Sequence, residues 1–324
     1  MISAFLSLLC LAEAPPVRGV ALGLFSAEED YDYGRPLKEI AALGATDVSL
    51  AVVYWQRELR STEIHAVRGW TPSEAALRRA IRAARALGLR VSLFPILRIE
   101  KPKGKEWRGT IAPADEDAWW RSYGDLMLWL AALGEAEGVA RFTVGSELLS
   151  REGQRERWLE LIERVRLVAP HAALVYSANW DHYEEVRFWD AIDVVGITGY
   201  FEIARGNEAS AAEMREAWRP IVGRLADFSR RLGRPLEISE IGYPSLDGGA
   251  AWPWDETRRA PVDLEEQRRA YQAFVEALGG QPWLGGIFAW NWFGDGGPRS
   301  TDYTPRNKPA ARVLEAFYGG SPGR

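Results

Sequence analysis

The sequence predicts one α/β domain built as a single (β/α)8 barrel, also called a TIM barrel. Strand and helix signals alternate along the whole chain of 324 residues, which is the order expected of repeated βα units. The strand segments are near-continuous apolar runs, a pattern typical of parallel strands that are covered on both faces. No break in composition and no linker divides the chain, so the units belong to one domain.

Eight segments have the strand pattern. They span residues 19–25, 47–54, 90–97, 141–147, 173–179, 193–200, 236–243 and 285–292. Amphipathic patterns predict helices at 35–43, 71–88, 115–137, 151–168, 210–232, 263–278 and 308–318. Only the link between the fifth and sixth strands, "WDHYEEVRFWDAI", lacks a regular helical pattern, and we expect it to be irregular.

The helix at 71–88 has the clearest boundaries. Thr71 is predicted to cap its N-terminus, with Pro72 at the first helical position and Glu74 completing a capping box. Gly88 is suited to its C-terminal end. The helix at 263–278 begins with Asp263 and Glu266 in matching positions.

An open, doubly wound sheet is the alternative fold. Such a sheet predicts a glycine-rich phosphate-binding turn after the first strand. The segment "LGLFSAEEDYDYG" does not provide one, so the barrel is favoured.

Composition narrows the classes of function. The chain has 45 acidic and 40 basic residues and a net charge of −5, which argues against nucleic acid as a partner. Its three histidines form no zinc-binding pattern, and its one cysteine allows no internal disulfide. The basic run at 101–109 is interpreted as a solvated loop, with a phosphate-binding patch as the alternative.

Residues 1–14 form a separate apolar segment before the predicted catalytic domain at 15–324. The apolar stretch is too short to span a bilayer, so no stable membrane insertion is expected. It resembles the core of a signal peptide, although no Lys or Arg precedes it. The prediction is export to the periplasm or the extracellular space, with an apolar tail on a cytoplasmic protein as the alternative.

Two glutamates lie at the ends of predicted core strands. Glu147 ends the fourth strand and Glu240 lies near the end of the seventh. In a barrel of this kind the C-terminal strand ends form the active site, and burying a carboxylate alone is unfavourable. Two facing carboxylates, one protonated and one ionised, are what glycoside hydrolysis requires. The structural alternatives are that Glu147 serves the following helix N-terminus and that Glu240 pairs with Arg141.

Several motifs together resemble glycoside hydrolase family 113 of clan A, whose characterised members are β-1,4-mannanases. The resemblance covers nearly the whole chain. The motifs are "YWQRELRSTEI" (54–64), "TPSEAALRRAI" (71–81), "WRGTIAPADEDAWWRSY" (107–123), "FTVGSELLS" (142–150), "YSANW" (176–180), "ISEIGY" (238–243), "FAWNWF" (288–293) and "DYTPRNKPA" (302–310).

The resemblance implies a retaining mechanism with two glutamates and no metal or organic cofactor. It implies that Glu147 is the general acid/base and Glu240 the nucleophile. Ser146 is the small hydroxyl residue before the acid/base, Tyr200 is expected to donate a hydrogen bond to the nucleophile, and Trp290 is expected to form the floor under the sugar.

Further candidates for substrate contact lie at strand ends and in loops, where flat aromatic faces suit sugar rings. They are Asn179, Trp180, Trp55, Gln56, Trp292, Trp107 and Arg108. Trp107 and Arg108 are open to a second interpretation as anchors of their loop. Asp302 is interpreted as a residue that fixes a loop. The partner is thus an oligosaccharide or polysaccharide, and the oligomeric state is left open.

The segment "FPILRIE" (94–100) departs from the family pattern. Ile96 and Leu97 are apolar where polar groups usually face the sugar, and Arg98 or Glu100 is the candidate replacement. Thr198 also stands where an asparagine is common. Two alternatives to a mannanase therefore stay open: a clan A hydrolase of another β-glycan, and an inactive glycan-binding barrel.

Overall fold

The computed structural model describes residues 16–28 and 30–319. Eight parallel strands pair in chain order, and the eighth pairs with the first, so the sheet closes into a barrel. The strands are β1 (Val17–Gly23), β2 (Asp47–Gln56), β3 (Arg90–Ile99), β4 (Arg141–Ser146), β5 (Ala173–Ala178), β6 (Val194–Thr198), β7 (Leu236–Ile241) and β8 (Leu284–Ala289). This confirms the predicted fold class and excludes the open sheet.

Helices follow seven of the eight strands. They are α1 (Gly34–Ala42), α2 (Glu74–Ala86), α3 (Glu116–Ala136), α4 (Leu149–Glu152), α5 (Arg155–Val168), α6 (Ala211–Leu232), α7 (Leu264–Leu278) and α8 (Pro309–Gly319). Only two short 3₁₀ turns, Tyr183–Glu185 and Trp189–Ala191, link β5 to β6, which confirms that this link is irregular. Within the described residues, no helix has the length and apolar character needed to span a membrane.

The predicted cap of α2 is wrong by two residues. Ser73 caps the helix and accepts a hydrogen bond from the Ala76 N–H at 3.1 Å. Thr71 instead donates to the Val53 carbonyl oxygen at 2.7 Å and ties the loop to β2. The cap of α7 is confirmed, since Asp263 accepts the Glu266 N–H at 2.7 Å.

The main hydrophobic core lies between the barrel and its helices. Large aromatic side chains fill it where α3 and α5 pack on the sheet. Trp119 stacks on Tyr123 with ring centroids 5.0 Å apart, and Trp158 stacks on Phe188 at 4.7 Å. These rings are almost fully buried, so the helices are held firmly against the strands whose ends form the mouth of the barrel.

The opposite, N-terminal end of the barrel is closed by ion pairs. Asp47 begins β2 and is 1% exposed. Its carboxylate accepts from Arg141 Nη1 at 2.7 Å and from Arg90 Nη2 at 2.8 Å. Glu237 lies 3.8 Å from Arg141 Nη2. Arg141 thus serves this end of the barrel, and the alternative that it pairs with Glu240 is wrong.

The N-terminal prediction at residues 1–14 lies outside the described residues. The basic run at 101–109 forms a loop after β3 whose first five residues are exposed, as expected of a solvated loop.

Candidate active site

Glu147 follows β4 directly and has an unusual backbone conformation. Its φ is +52°, in the left-handed region that side chains other than glycine seldom adopt. Its N–H donates to the Ser177 carbonyl oxygen at 2.8 Å, which anchors the turn to β5. The residue is 4% exposed, and its carboxylate contacts Arg108. Because α4 and α5 begin at later residues, the interpretation of Glu147 as a helix-capping acid is not supported.

Glu240 is placed by an irregularity in β7. The register between β6 and β7 shifts so that Thr198 lies opposite Glu240 rather than Ser239. Ser239 Oγ bonds Ser177 Oγ at 2.7 Å, across the intervening β6 and therefore inside the barrel. The bulge lets the next residue, Glu240, reach the mouth as well, a known use of bulges near functional sites.

Tyr200 lies just beyond β6 and fixes one oxygen of Glu240. The tyrosine hydroxyl donates to Glu240 Oε2 at 2.8 Å, which is the contact that the resemblance implied. The other oxygen, Glu240 Oε1, is buried without a hydrogen-bond partner among the described residues. Burial and the Glu240 carboxylate raise the pKa of Tyr200 well above its usual value, so the hydroxyl keeps its proton and remains a donor.

The two glutamates share one electrostatic environment. Burial and the nearby Glu147 carboxylate raise the pKa of Glu240 to about 8, while Arg108 and the Tyr200 hydrogen bond act in the opposite direction. A second buried carboxylate close by disfavours the ionised form of Glu240, so the charge on one of the two groups affects the other.

Aromatic side chains line the mouth beside the glutamates. Trp290 follows β8, and Trp55 lies near the end of β2. Both pack, together with Phe25, on a small apolar cluster of Ala51, Val53, Phe94 and Ile96. Trp290 and Trp55 are partly exposed, so their faces are available to a ligand. Ile96 of "FPILRIE" is a member of this cluster, which forms an apolar wall of the mouth.

Several polar atoms at the mouth are buried and have no partner within the part of the chain that the structure describes. They are Trp55 Nε1, Arg108 Nε, Ser146 Oγ and Glu240 Oε1. Buried polar atoms are normally paired, and exceptions ask for an explanation. A polar ligand with many hydroxyl groups would satisfy such atoms.

Ser146 and Trp107 have mixed surroundings. Ser146 is 3% exposed and also lines a small cavity formed with Tyr123, Met127 and Leu148. Trp107 packs against its own loop, because its ring lies 5.7 Å from the Arg108 guanidinium and its backbone N–H donates to the Thr110 hydroxyl. It thereby supports Arg108.

Asn179 and Trp180 follow β5 at the rim of the mouth. The Asn179 amide donates to Asp181 at 2.8 Å, and its oxygen accepts weakly from Thr198 at 3.4 Å. The Trp180 ring packs edge-on against Phe201 at 5.6 Å. Both residues are partly exposed and retain surface for a ligand.

Two predicted contact residues are structural instead. Gln56 is fully buried. Its oxygen accepts from Trp119 Nε1 at 2.9 Å, and its nitrogen donates to the Glu58 and Leu59 carbonyls. Trp292 is 4% exposed and donates through Nε1 to Glu39 at 3.0 Å. Both side chains face the surrounding helices, so the prediction that they contact sugar is wrong.

Tyr303 and Glu256 at the mouth were not predicted as site residues, and Arg98 was predicted only as a candidate replacement for the polar groups missing from "FPILRIE". Tyr303 packs edge-on against Tyr200 at 6.1 Å, and it belongs to the motif "DYTPRNKPA" that carried part of the resemblance. Arg98 lies above the Trp55 ring at 5.9 Å and contacts Glu256. Because Glu256 is in the loop after β7, this ion pair joins opposite sides of the mouth. No local sequence signal indicates it.

Other acids near the mouth have structural partners. Glu100 contacts His65. Asp302 accepts from Lys308 Nζ at 2.9 Å and fixes its loop, as interpreted. Asp247, Asp263 and Glu266 have the spacing of a metal site, but Glu266 is already bonded to the Gly248 and Ala250 N–H groups at 2.8 Å.

Comparison with known proteins identifies the family. The model of glycoside hydrolase family 113 matches residues 23–304. None of the curated protein sequences compared with the chain is significantly similar to it.

Among solved structures, the chain resembles a family 113 β-mannanase from Alicyclobacillus acidocaldarius in complex with ManMIm. The identity is 28%, the TM-score is 0.84, and the match covers 95% of this chain and 98% of that one. A second family 113 β-1,4-mannanase is 25% identical with a TM-score of 0.84, covering 94% and 99% of the two chains. A family 5 protein from Streptomyces cattleya, at 16% identity and a TM-score of 0.61 over 95% and 82%, shares the fold. The chain belongs to glycoside hydrolase family 113.

Proposed function

We propose that the chain is a retaining hydrolase of β-1,4-linked mannan or manno-oligosaccharides, with Glu240 as the nucleophile and Glu147 as the acid/base. The observation that carries this proposal is the pair of buried glutamates at the barrel mouth of a family 113 chain. Mannan is favoured because the two similar structures of that family are β-mannanases.

The reaction takes two steps. In the first, the Glu240 carboxylate attacks the anomeric carbon while Glu147 gives its proton to the leaving oxygen, so the glycosidic bond breaks and a covalent glycosyl–enzyme forms. In the second, Glu147 takes a proton from water, whose oxygen attacks the anomeric carbon and releases Glu240. Glu147 is protonated again by this transfer and Glu240 is again a carboxylate, so the enzyme is regenerated.

The surroundings of Glu240 support its role. Tyr200 holds Oε2, which leaves Oε1 unpartnered among the described residues and able to form the new bond. Trp290 follows the neighbouring strand β8, and its N–H donates to the carbonyl oxygen of Ile241, the residue after Glu240, at 2.7 Å. Ordered donors and fixed side chains of this kind position a nucleophile without reorganisation during the reaction.

The end of β3 supports a second candidate, the hydrolysis of another β-glycan by the same pair. Ile96 is part of the apolar wall and Arg98 is paired with Glu256. Glu100 is occupied by His65. This strand end therefore offers a sugar a different set of groups from the polar segment that is usual in the family.

The test is product release from a panel of β-linked glycans, including β-1,4-mannan and manno-oligosaccharides. Wild type is compared with Glu147→Gln and Glu240→Gln. Cleavage of mannan by wild type alone is the expected result. Cleavage of another glycan alone would keep the two glutamates and change the substrate. Binding of glycans without any cleavage by wild type would contradict a hydrolase and favour a glycan-binding barrel.

We also propose export through the N-terminal segment, because a polymeric glycan is met outside the cell. Fractionation of cells that express the full chain tests this. A processed chain outside the cytoplasm is expected, and an uncleaved cytoplasmic chain would contradict export.

A further inference from the structure

One ion pair at the mouth joins two parts of the chain that lie opposite each other in the barrel. Arg98 is in β3, where it pairs in register with Trp55 of β2. Glu256 is in the loop after β7, and its Oε1 accepts a hydrogen bond from Arg98 Nη2. Strands β3 and β7 are four strands apart in a closed barrel of eight, so this contact spans the mouth.

The loop that carries Glu256 is fixed to its own side of the mouth. The Tyr303 hydroxyl donates to the Pro253 carbonyl oxygen at 2.5 Å. Trp254 Nε1 donates to Glu202, which follows β6, at 3.0 Å. Since Arg98 is held in a strand and Glu256 follows these anchors, the two side chains can separate without unfolding either support.

The ion pair lies on the solvent side of the catalytic groups. Its side chains are 37% and 61% exposed, against 6% for Glu147. The Arg98 guanidinium lies over the Trp55 ring at 5.9 Å, and Glu256 is within electrostatic range of Arg108, which contacts Glu147. A sugar seated beside the glutamates therefore lies beneath or next to this pair.

The pair divides the mouth into two halves. One half has the ends of β8, β1 and β2, with the partly exposed Trp290 and Trp55. The other half has the ends of β4, β5 and β6, with Glu147, Asn179 and Trp180. A glycan that contacts both halves passes beneath the pair. The middle of a polymer continues beyond the cleft in both directions and can enter only when the contact opens, whereas an oligosaccharide can enter by its end.

We propose that Arg98 and Glu256 form a clasp over the cleft that selects short oligosaccharides against polymeric glycan. The inference deepens the proposed function and rests on it. Exposed ion pairs contribute little to stability, so the clasp opens readily. Its effect is a preference of about two- to fivefold and not an exclusion of polymer.

The first test compares wild type with Glu256→Gln and with the matched control Asp190→Asn. The change to Gln keeps the size of the side chain and removes its charge. Asp190 and its partner Arg155 are 67% and 36% exposed, close to the values for Glu256 and Arg98. The substrates are soluble linear β-1,4-mannan and the hexasaccharide of the same sugar. Both present the same sugars to the cleft, so a lost sugar contact would affect both, whereas the clasp acts on the polymer alone.

The measured quantity is the ratio of kcat/KM for the polymer to kcat/KM for the hexasaccharide. It should rise about two- to fivefold in Glu256→Gln and stay at the wild-type value in Asp190→Asn. Exchanging the charges, with Arg98→Glu and Glu256→Arg in one protein, should bring the ratio back toward wild type. Added salt should raise the ratio in wild type but not in Glu256→Gln, because salt screens an exposed ion pair and the glycan is uncharged.

A reversible cross-link tests the clasp in its closed state. Cys10 is the only cysteine of the chain, so Cys10→Ser combined with Arg98→Cys and Glu256→Cys leaves two thiols, one on each side of the mouth. A short bis-methanethiosulfonate reagent joins them through disulfides. Cleavage of the polymer should then be lost while the hexasaccharide is still cleaved, and a reductant should restore cleavage of the polymer.

An unchanged ratio in Glu256→Gln, or cleavage of polymer by the cross-linked protein, would overturn this inference and leave the proposed hydrolase intact. If wild type cleaves a different β-glycan, the polymer and the hexasaccharide of that glycan are compared instead. Failure of wild type to cleave any glycan would overturn the proposed function, and the clasp with it.

Discussion

At the N-terminal end of the barrel, the buried carboxylate of Asp47 accepts hydrogen bonds from both Arg141 and Arg90. At the C-terminal end, two buried glutamates face one arginine, and that arginine contacts Glu147 but not Glu240. The charge of Asp47 is thus paired within the fold, while the mouth leaves polar atoms without partners among the described residues. The difference shows which end is built for stability and which for a ligand.

The largest expected effect on stability comes from removing the ion pairs of Asp47 at the N-terminal end of the barrel. Asp47→Asn removes the charge that pairs with Arg141 and Arg90, so the free energy of unfolding should fall by about 3–5 kcal/mol. Activity per folded molecule should be unchanged, because the mouth is not touched. Denaturant unfolding measures the first and titrated activity the second. Asp190→Asn, which breaks an exposed pair with Arg155, is the control and should cost less than about 1 kcal/mol.

A second expected effect is that the two ends respond to pH in opposite directions. The Glu240 carboxyl has its pKa raised to about 8. The ordinary pKa of a glutamate is 4.5. As pH rises from 4.5 to 8, Glu240 ionises in the unfolded chain but stays protonated in the folded protein, so the free energy of unfolding falls. Glu240→Gln should therefore become more stable than wild type across this window, by an amount on the order of 2–4 kcal/mol.

Glu137 near the other end is the matched comparison for this pH test. Hydrogen bonds from Arg82 and Arg78 lower its pKa to about 2. The stabilisation that ionised Glu137 gives to the fold is present above pH 4.5 and is lost as pH falls through 2. The free energy of unfolding of wild type should therefore exceed that of Glu137→Gln by less as the pH is lowered. Unfolding curves at a series of pH values measure both. A difference between wild type and Glu240→Gln that stays constant across pH would be inconsistent with this account.

A smaller effect is expected from removing the hydrogen bond that Tyr200 donates to Glu240. Tyr200→Phe removes the donor to Glu240 Oε2, and a bond to a charged group contributes about 1.5–3 kcal/mol. We expect kcat/KM to fall about 10- to 100-fold and the limb of the pH profile that reports Glu240 to move upward, because the bond lowers the pKa of Glu240. Tyr123→Phe, whose hydroxyl bonds the Val144 carbonyl at 2.8 Å, should leave that limb in place.

The smallest effect is expected at the rim. Glu256→Gln breaks the exposed ion pair with Arg98 that joins the two sides of the mouth. Such pairs contribute little, so the free energy of unfolding should change by less than about 1 kcal/mol. A loss as large as that of Asp47→Asn would show that the mouth carries as much of the stability as the opposite end.

The sequence was sufficient to predict the barrel and the two glutamates. Continuous apolar strands with regular helices between them indicate a closed parallel sheet, and the strand ends then bring Glu147 and Glu240 together. The contact between Tyr200 and Glu240 followed from the family resemblance.

The sequence was insufficient to predict which side chains at the strand ends face the mouth. Strands buried on both faces show no alternation, so Gln56 and Trp292 could not be recognised as facing the helices. The bulge that lets Ser239 and Glu240 both point inward also breaks simple alternation. Arg108 lies 39 residues before Glu147 in the sequence. Their contact depends on the path of the loop after β3, which the sequence pattern does not indicate.

One measurement tests the central claim most directly: kcat and the free energy of unfolding of Glu240→Gln, determined on the same preparation at neutral pH. The account predicts that turnover of the active glycan falls by at least about a thousandfold while stability rises above that of wild type. Retained turnover would contradict the assignment of Glu240 as the nucleophile. Lost turnover together with a large loss of stability would contradict the view that the mouth is built for its ligand rather than for the fold.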